Sequence, residues 1–285
     1  MWNKEETGFL GCVSAYEDAE TVLYGAPFDS TTSFRPGARF GPSAIRRESD
    51  GLETYSPYLD RDLTEYRIYD GGDLTLPIGD AGAALLTIER AAAQILSDGK
   101  RPFLLGGEHL VTLGAVRAVY KAFPELRILH FDAHTDLRDS YLGVELSHAS
   151  VIRRCHELLG DGKIWQFGIR SGEREEFAFA DAGHTFLHRF DLDGLSEAVS
   201  AMKGKPVYLT VDLDVLDPSV FSGTGTPEPG GVSFNELREA LKVVTTELTP
   251  AGLDVVELAP ELDHSGASTA VACKLVRELL LGVQG

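Results

Sequence analysis

Apolar runs of strand length alternate with longer segments of helical period from one end of this chain to the other, and that alternation constrains the fold more than any other feature. Strands are expected at Thr21–Tyr24, Arg67–Tyr69, Pro102–Leu105, Arg127–Phe131, Lys163–Gly168, His184–His188, Val207–Val211 and Leu253–Leu258. Helices fit between them at Pro42–Ser49, Ala81–Ser97, Leu110–Ala122, His148–Leu159, Glu173–Ala180, Leu195–Met202, Ser233–Leu248 and Ala267–Leu280. Pro42 suits a first helical position, Ser233 and Glu236 read as a capping box, and Gly99 follows a helix end. Parallel neighbours need crossover connections, so the expected class is α/β: a three-layer α/β/α sandwich around an eight-stranded, mainly parallel sheet. With 285 residues, 43% of them apolar, and no recognisable linker, residues 1–285 read as one domain.

Such sheets bind ligands beyond the carboxyl ends of their strands, and that is where the chemistry-bearing residues fall. The segment Leu129–Asp136 reads LHFDAHTD, so Asp132, His134 and Asp136 occupy alternate positions at a strand end and point the same way. A second run, Tyr208–Asp214, ends in Asp212 and Asp214; a third, Pro102–Leu105, leads into Gly106, Gly107, Glu108 and His109. Strand-end Asp and His also cap helices, but three strands delivering such residues to one edge point to a metal cluster. Four carboxylates sum to −4 and match two divalent ions at +4, whereas one ion leaves the cluster over-charged. Carboxylates mixed with imidazoles suit Mn(II), with Zn, Fe(II), Co or Ni as alternatives, and two metals sharing a water favour hydrolysis.

Composition limits the partners. A net charge of −18 argues against nucleic acid and anionic membranes. Cys12, Cys155 and Cys273 are odd in number and widely spaced, which suits a reduced, cytoplasmic setting without disulfides or a zinc knuckle. No stretch has the length of a membrane span. The loops Ala26–Gly41 and Asp217–Gly231, rich in glycine and proline, are expected to wall the active-site cleft. Gly71-Gly72-Asp73 reads as a turn, and His156, His184 and His188 as solvated or structural histidines; His264 is placed near the cleft.

GGEH at Gly106–His109, DAHTD at Asp132–Asp136, TVDLDVLDP at Thr210–Pro218, GTGTPEPGG at Gly223–Gly231 and DVVELAPELD at Asp254–Asp263 together resemble the ureohydrolase family, the arginase and agmatinase group. The resemblance covers nearly the whole chain. It implies the arginase-like α/β fold and two Mn(II) ions, one held by His109, Asp132, Asp136 and Asp212, the other by Asp132, His134, Asp212 and Asp214, with Asp132 and Asp212 as bridges. It further implies that a hydroxide shared by the metals and held by Asp136 attacks a guanidinium carbon, that Glu257 pairs with the guanidinium, and that His148 shuttles protons to the leaving amine. Thr210, where serine is common, and Ser222, where proline is, depart from the family pattern.

The family hydrolyses arginine, agmatine, guanidinobutyrate and related compounds. The loop Leu137–Leu146 lacks the asparagine signature that arginases use for the α-carboxylate, and DLRDSYLG, FGIRSG and APELDH resemble bacterial agmatinases. The resemblance therefore implies cleavage of agmatine to putrescine and urea, on a small cationic guanidino substrate, in a homo-oligomer (trimer or hexamer). Guanidinobutyrase or arginase activity and a non-catalytic binding role are the alternatives. Asp139, Glu145 and Glu173 are candidates for the tail ammonium, with ordinary surface acids as the preferred reading of each; Arg138 or Arg170 in the cleft would favour a carboxylate-tailed substrate.

Overall fold

Strands that are largely apolar can be buried on both faces, and β-strands Thr21–Ala26, Ile164–Ile169 and Val207–Asp212 are buried at every position. The computed structural model describes residues 2–3 and 8–284. Its strands are β1 (Trp2–Asn3), β2 (Thr21–Ala26), β3 (Tyr55–Ser56), β4 (Arg61–Asp62), β5 (Ile68–Leu74), β6 (Arg101–Gly106), β7 (Arg127–Phe131), β8 (Ile164–Ile169), β9 (Phe186–Arg189), β10 (Val207–Asp212) and β11 (Pro250–Val256). Its α-helices are α1 (Gly41–Ser49), α2 (Ala81–Ser97), α3 (Val111–Ala122), α4 (Val151–Leu159), α5 (Arg174–Asp181), α6 (Leu195–Met202), α7 (Phe234–Glu247) and α8 (Ala267–Gly282). All eight expected strands and all eight expected helices are present, with ends displaced by a few residues.

The main sheet runs β1-β5-β2-β6-β11-β10-β7-β8-β9. Every neighbouring pair is parallel except β1 with β5, which adds a ninth, antiparallel edge strand to the eight expected. Side-chain alternation then splits the core in two. Leu23, Phe103, Leu129, Leu209 and Leu253 join helices α1, α6, α7 and α8 on one face, while Val22, Tyr24, Leu104, Ile128 and Tyr208 meet α2, α3, α4 and Ala180 of α5 on the other. The result is a three-layer sandwich. No helix of the described residues is long and apolar enough to cross a membrane, and the three cysteines are buried and unpaired.

The topology positions the site. β6 leads through α3 to β7 without pairing with it, and β10 and β11, the last strands of the chain, fill the space between. The carboxyl ends of β6, β11, β10 and β7 therefore stand side by side at a switch point of the sheet, the place where such folds bind ligands. The expected helix from His148 begins as a single 3-10 turn, His148–Ser150, capped by Ser147, before α4 takes over. The Ser233–Glu236 capping box forms as expected.

One expectation is corrected. Gly71-Gly72-Asp73 is not a turn: it lies inside β5, whose register against β2 slips between Leu23 and Gly25, and Gly72 takes φ 75° there. This bulge brings Asp73 beside Asp70, and both pair with Arg46 of α1, which has no exposed side-chain surface. Asp70 also accepts the Phe9 amide at 2.8 Å. Arg46→Ala strands a buried carboxylate, so we expect a loss on the order of 3–5 kcal/mol in denaturant unfolding; a change below about 1 kcal/mol would show that the triad is not a structural pin.

Candidate metal centre

Each ligand candidate arrives at the central edge by a distinct local device. His109 follows the Gly-Gly turn after β6, where a side chain on Gly107 would place Cβ 2.0 Å from the Phe28 carbonyl oxygen. That contact admits only glycine, and it lets Gly107 N–H donate to Ala26 O at 2.9 Å and Glu108 N–H to Phe28 O at 2.8 Å. Asp132 and His134 follow β7 on either side of a bend at Ala133, His134 bridging Ser171, and Asp136 then takes a left-handed backbone at φ 51°. Asp212 caps the 3-10 turn Leu213–Val215, accepting the Asp214 amide at 2.9 Å through Oδ1 while Oδ2 faces His109. Glu257, just past β11, is also left-handed at φ 67°, and its Oε1 accepts the His109 amide at 2.7 Å. Two non-glycine residues in this sparsely populated region at one site is the kind of strain that clusters where side chains must be aimed.

The six candidates converge. His109 Nδ1 lies 3.0 Å from Asp132 Oδ2, 3.2 Å from Asp136 Oδ2 and 3.2 Å from Asp212 Oδ2. His134 Nδ1 lies 3.0 Å from Asp214 Oδ2 and 3.4 Å from Asp132 Oδ1. Asp132 thus offers one oxygen to each histidine and stands between two subsites. All four carboxylates are buried, and among the described residues none pairs with a lysine or arginine. His109 Nδ1 and Asp214 Oδ2 are buried without a hydrogen-bond partner. Buried, uncompensated carboxylates and orphaned lone pairs call for cations; the donor set fits divalent metal.

Protonation follows the same logic. Burial alone would depress His109 and His134, but the surrounding aspartates hold both well above the usual histidine value. Burial, then the Asp132 charge, push Asp136 up to about 7; burial with Asp214 and Asp132 raise Asp212 as well. Burial also works to raise Asp132, but His130, His109 and His134 outweigh it and hold that carboxyl well below the usual range. Glu257 is raised by burial and by Glu108.

The structure adds residues that sequence reading missed. His130, in mid-strand, lies with Nε2 2.8 Å from Asp132 Oδ2. Its tautomer follows from its neighbours. Gln166 Nε2 donates to the Thr135 carbonyl at 2.8 Å, an acceptor only, and Thr185 Oγ1 donates to Gln166 Oε1 at 3.0 Å. The Gln166 amide nitrogen therefore faces His130 Nδ1 at 3.1 Å, so Nδ1 accepts and Nε2–H donates to Asp132. His130 orients a carboxylate and is not itself a ligand. Thr210, the departure from serine, touches His109 Nε2 through Oγ1 at 3.0 Å. Glu108 is fully buried and accepts from the Thr31 amide and from the Thr31 and Thr32 hydroxyls, so it anchors the loop Ala26–Gly41.

Both glycine- and proline-bearing loops wall the cleft as expected. Ser33, Phe34 and Arg35 from one and Thr226, Pro227 and Glu228 from the other line a cavity of ≈ 640 Å³ that opens onto His134, Asp136 and His148. Arg35 ties the loops together through the carbonyls of Gly225 and Thr224. His148 donates its amide to Thr31 Oγ1 at 3.1 Å and has Nε2 3.0 Å from Ser33 Oγ. Burial, then the His134 and His109 charges, push its imidazole down to about 4.

The tail candidates divide, and Asp139 and Glu145 are the surface acids that the sequence also allowed. Asp139 and Glu145 are 79% and 78% exposed and pair with Arg154 of α4, away from the cleft. Arg170 spends its guanidinium on the carbonyls of Gly168, Asp214, Val215, Leu216 and Glu228, so it carries no substrate contact. His264 is exposed and does not line the cleft. Arg138 and Glu173 do line it, paired with each other at 3.1 Å, and Glu176 takes a second side of Arg138. Glu228 lies 3.9 Å from His134 Nε2 and accepts from Ser171 Oγ at 2.9 Å.

The fold and this acid-rich cradle are those of a known group. The Arginase family model matches residues 19–282, and the chain belongs to the arginase family. It is 46% identical to an agmatinase of Bacillus subtilis over 276 residues, covering 96% of this chain and 95% of that one. Similarity to an agmatinase of Bacillus anthracis is 47% over the same shares. The crystal structure of an agmatine ureohydrolase of Thermoplasma volcanium superposes with a TM-score of 0.90 at 35% identity, covering 99% of this chain and 95% of that one.

Two outcomes follow from the cradle. His130→Phe removes the donor to Asp132 and should weaken Mn(II) binding by roughly 10–100-fold in equilibrium dialysis; unchanged affinity would mean that His130 does not orient the carboxylate. His109 and His134 hold protons above their usual value when no metal is bound, so metal must displace them. Apparent Mn(II) affinity should then fall by on the order of tenfold or more per unit of falling pH below neutrality, with proton release on binding measured by calorimetry in two buffers.

Proposed function

We propose that this protein is an agmatinase, hydrolysing agmatine to putrescine and urea at a site for two Mn(II) ions. Likeness to agmatinases over 96% of the chain carries the substrate assignment, and the buried His–Asp cradle carries the chemistry. His109, Asp132, Asp136 and Asp212 would hold one ion and Asp132, His134, Asp212 and Asp214 the other, with Asp132 and Asp212 shared. When bound, the pair supplies Lewis acidity and a water that deprotonates near neutral pH.

The chain's own residues do the rest. Glu257, whose Oε1 is fixed by the His109 amide, is a buried carboxyl with no basic side chain paired to it among the described residues; a guanidinium would satisfy it with parallel N–H bonds. Asp136 accepts a hydrogen bond from the attacking water. His148, steered by Thr31 and Ser33, would take up the proton released by the attacking water and deliver it to the amine as the C–N bond breaks. Glu228, on the cleft wall, receives the distal ammonium. The cations near the cleft are occupied, Arg138 by glutamates and Arg35 by carbonyls, which disfavours a carboxylate tail. A cytoplasmic location and a homo-oligomeric state, trimer or hexamer, complete this reading; the unpaired cysteines support the former, and solution sizing tests the latter.

Urea release by Mn(II)-loaded protein from equal concentrations of agmatine, arginine and 4-guanidinobutyrate tests the proposal: agmatine should be strongly preferred. Preference for either carboxylate-bearing compound would overturn the tail assignment, and no urea from any would overturn the reaction. His148→Ala should retain both metals and lose about 10²–10⁴-fold in kcat. Glu228→Gln should raise KM for agmatine with little change in kcat.

A further inference from the structure

At the opposite end of α4 from the cleft-lining His148, three side chains from three different segments meet. His156 lies in the last turn of α4, Asp161 lies in the tight link to β8, and His184 stands two residues before β9. His156 Nε2 and His184 Nδ1 each lie 2.7 Å from the same oxygen, Asp161 Oδ1, and the three candidate ligand atoms lie within 4.8 Å of one another. We propose that His156, Asp161 and His184 form a separate metal site, suited to Zn(II) and related borderline ions.

The site is built by the backbone as well as by side chains. Gly160 donates its amide to His156 O at 2.7 Å, and Gly162 donates its own to His184 O at 3.4 Å. The two residues flanking Asp161 are thus tied to the main chain of the two histidines that Asp161 faces. Both glycines are left-handed, with φ 84° and 69°, and this reversal presents the Asp161 carboxylate to both rings at once. Phe179 of α5 holds the imidazoles from behind: its ring stacks on His184 at 4.2 Å and stands nearly perpendicular to His156 at 4.9 Å. The rings are therefore oriented by apolar packing, with nitrogens directed at the acid.

Ligand chemistry selects the ion. Two imidazoles and one carboxylate are the donors of a three-ligand zinc site whose fourth position takes water. Asp161 is 66% exposed and His184 36%, so solvent reaches that position. Bonds of about 2.0–2.2 Å around a tetrahedral ion place ligand atoms roughly 3.3 Å apart, so entry of zinc requires each nitrogen to draw back from Asp161 by several tenths of an ångström and the two nitrogens, within 4.8 Å of each other, to settle at the same spacing. Imidazole-rich donors favour Zn(II), Ni(II) and Cu(II) over Mn(II), whereas the four-aspartate cradle at the sheet edge suits Mn(II). The two sites therefore prefer different metals. Bound zinc would clamp α4, the α4–β8 link and the edge strand β9 together.

The test uses full-length protein loaded with Mn(II) and dialysed against graded ZnCl₂, with zinc and manganese per chain measured by mass spectrometry. The wild-type protein should take up one zinc per chain with its manganese content unchanged. His184→Ala and Asp161→Asn should each bind that zinc at least tenfold more weakly, while Mn(II) content and Mn(II)-dependent turnover stay at the wild-type level. Zinc should also raise the melting temperature of the wild type and not of His184→Ala. Equal zinc uptake by wild type and variants, or zinc entry only in exchange for manganese, would overturn the proposal, as would variants that lose stability without any zinc having bound to the wild type.

Discussion

Four aspartate carboxylates gathered in the dry interior, at the adjoining ends of four parallel strands, are the constraint on which the rest of the structure depends. Without compensating charge such a cluster works against folding, and among the described residues no lysine or arginine answers it. The histidines beside it take up protons in the metal-free cradle, a partial substitute that divalent ions replace. The sheet order makes the cluster possible, because placing β10 and β11 between β6 and β7 brings the four strand ends to one line. The surrounding hydrogen bonds then fix where each oxygen points: His130 on Asp132, the Asp214 amide on Asp212, the Ala133 amide on Asp214 at 3.1 Å.

From this core the site is assembled outward. Glu108 sits next to His109 in the chain yet faces the other way, anchoring Thr31 and Thr32, and Thr31 in turn receives the His148 amide. The residue that would carry protons is therefore registered to the metal cradle through one buried glutamate. Glu257 is registered through the His109 amide. His109, Glu257 and the loop over the cleft thus share the turn Gly106–His109, where the close approach of the Phe28 backbone leaves no room for a side chain at Gly107.

Much of this was legible in the sequence because it is periodic. Alternation at strand ends exposes Asp132, His134, Asp136, Asp212 and Asp214 as same-side groups, and strand–helix alternation carries the three layers. What stayed hidden lacks a period. His130 sits at a core-facing position of an apolar strand, and only its neighbours Gln166 and Asp132, one of them on another strand, reveal its work. The two-residue strand β1 and the β3–β4 hairpin are too short to leave a pattern, and the Gly-Gly pair of β5 reads as a turn because a bulge and a turn use the same residues. Asp139 and Glu145 suggest a tail pocket by nearness in sequence, but the loop lies against α4 and gives them to Arg154. Glu228 was concealed inside a motif read only as a loop.

The most direct test of the account is to count and locate the metals in crystals of the Mn(II)-loaded protein by anomalous diffraction. Two manganese ions per chain in the cradle, about 3.5–4 Å apart and both touching Asp132, are predicted. A single ion, or ions that leave Asp132 unshared, would contradict the claim that this charge cluster exists to hold a metal pair.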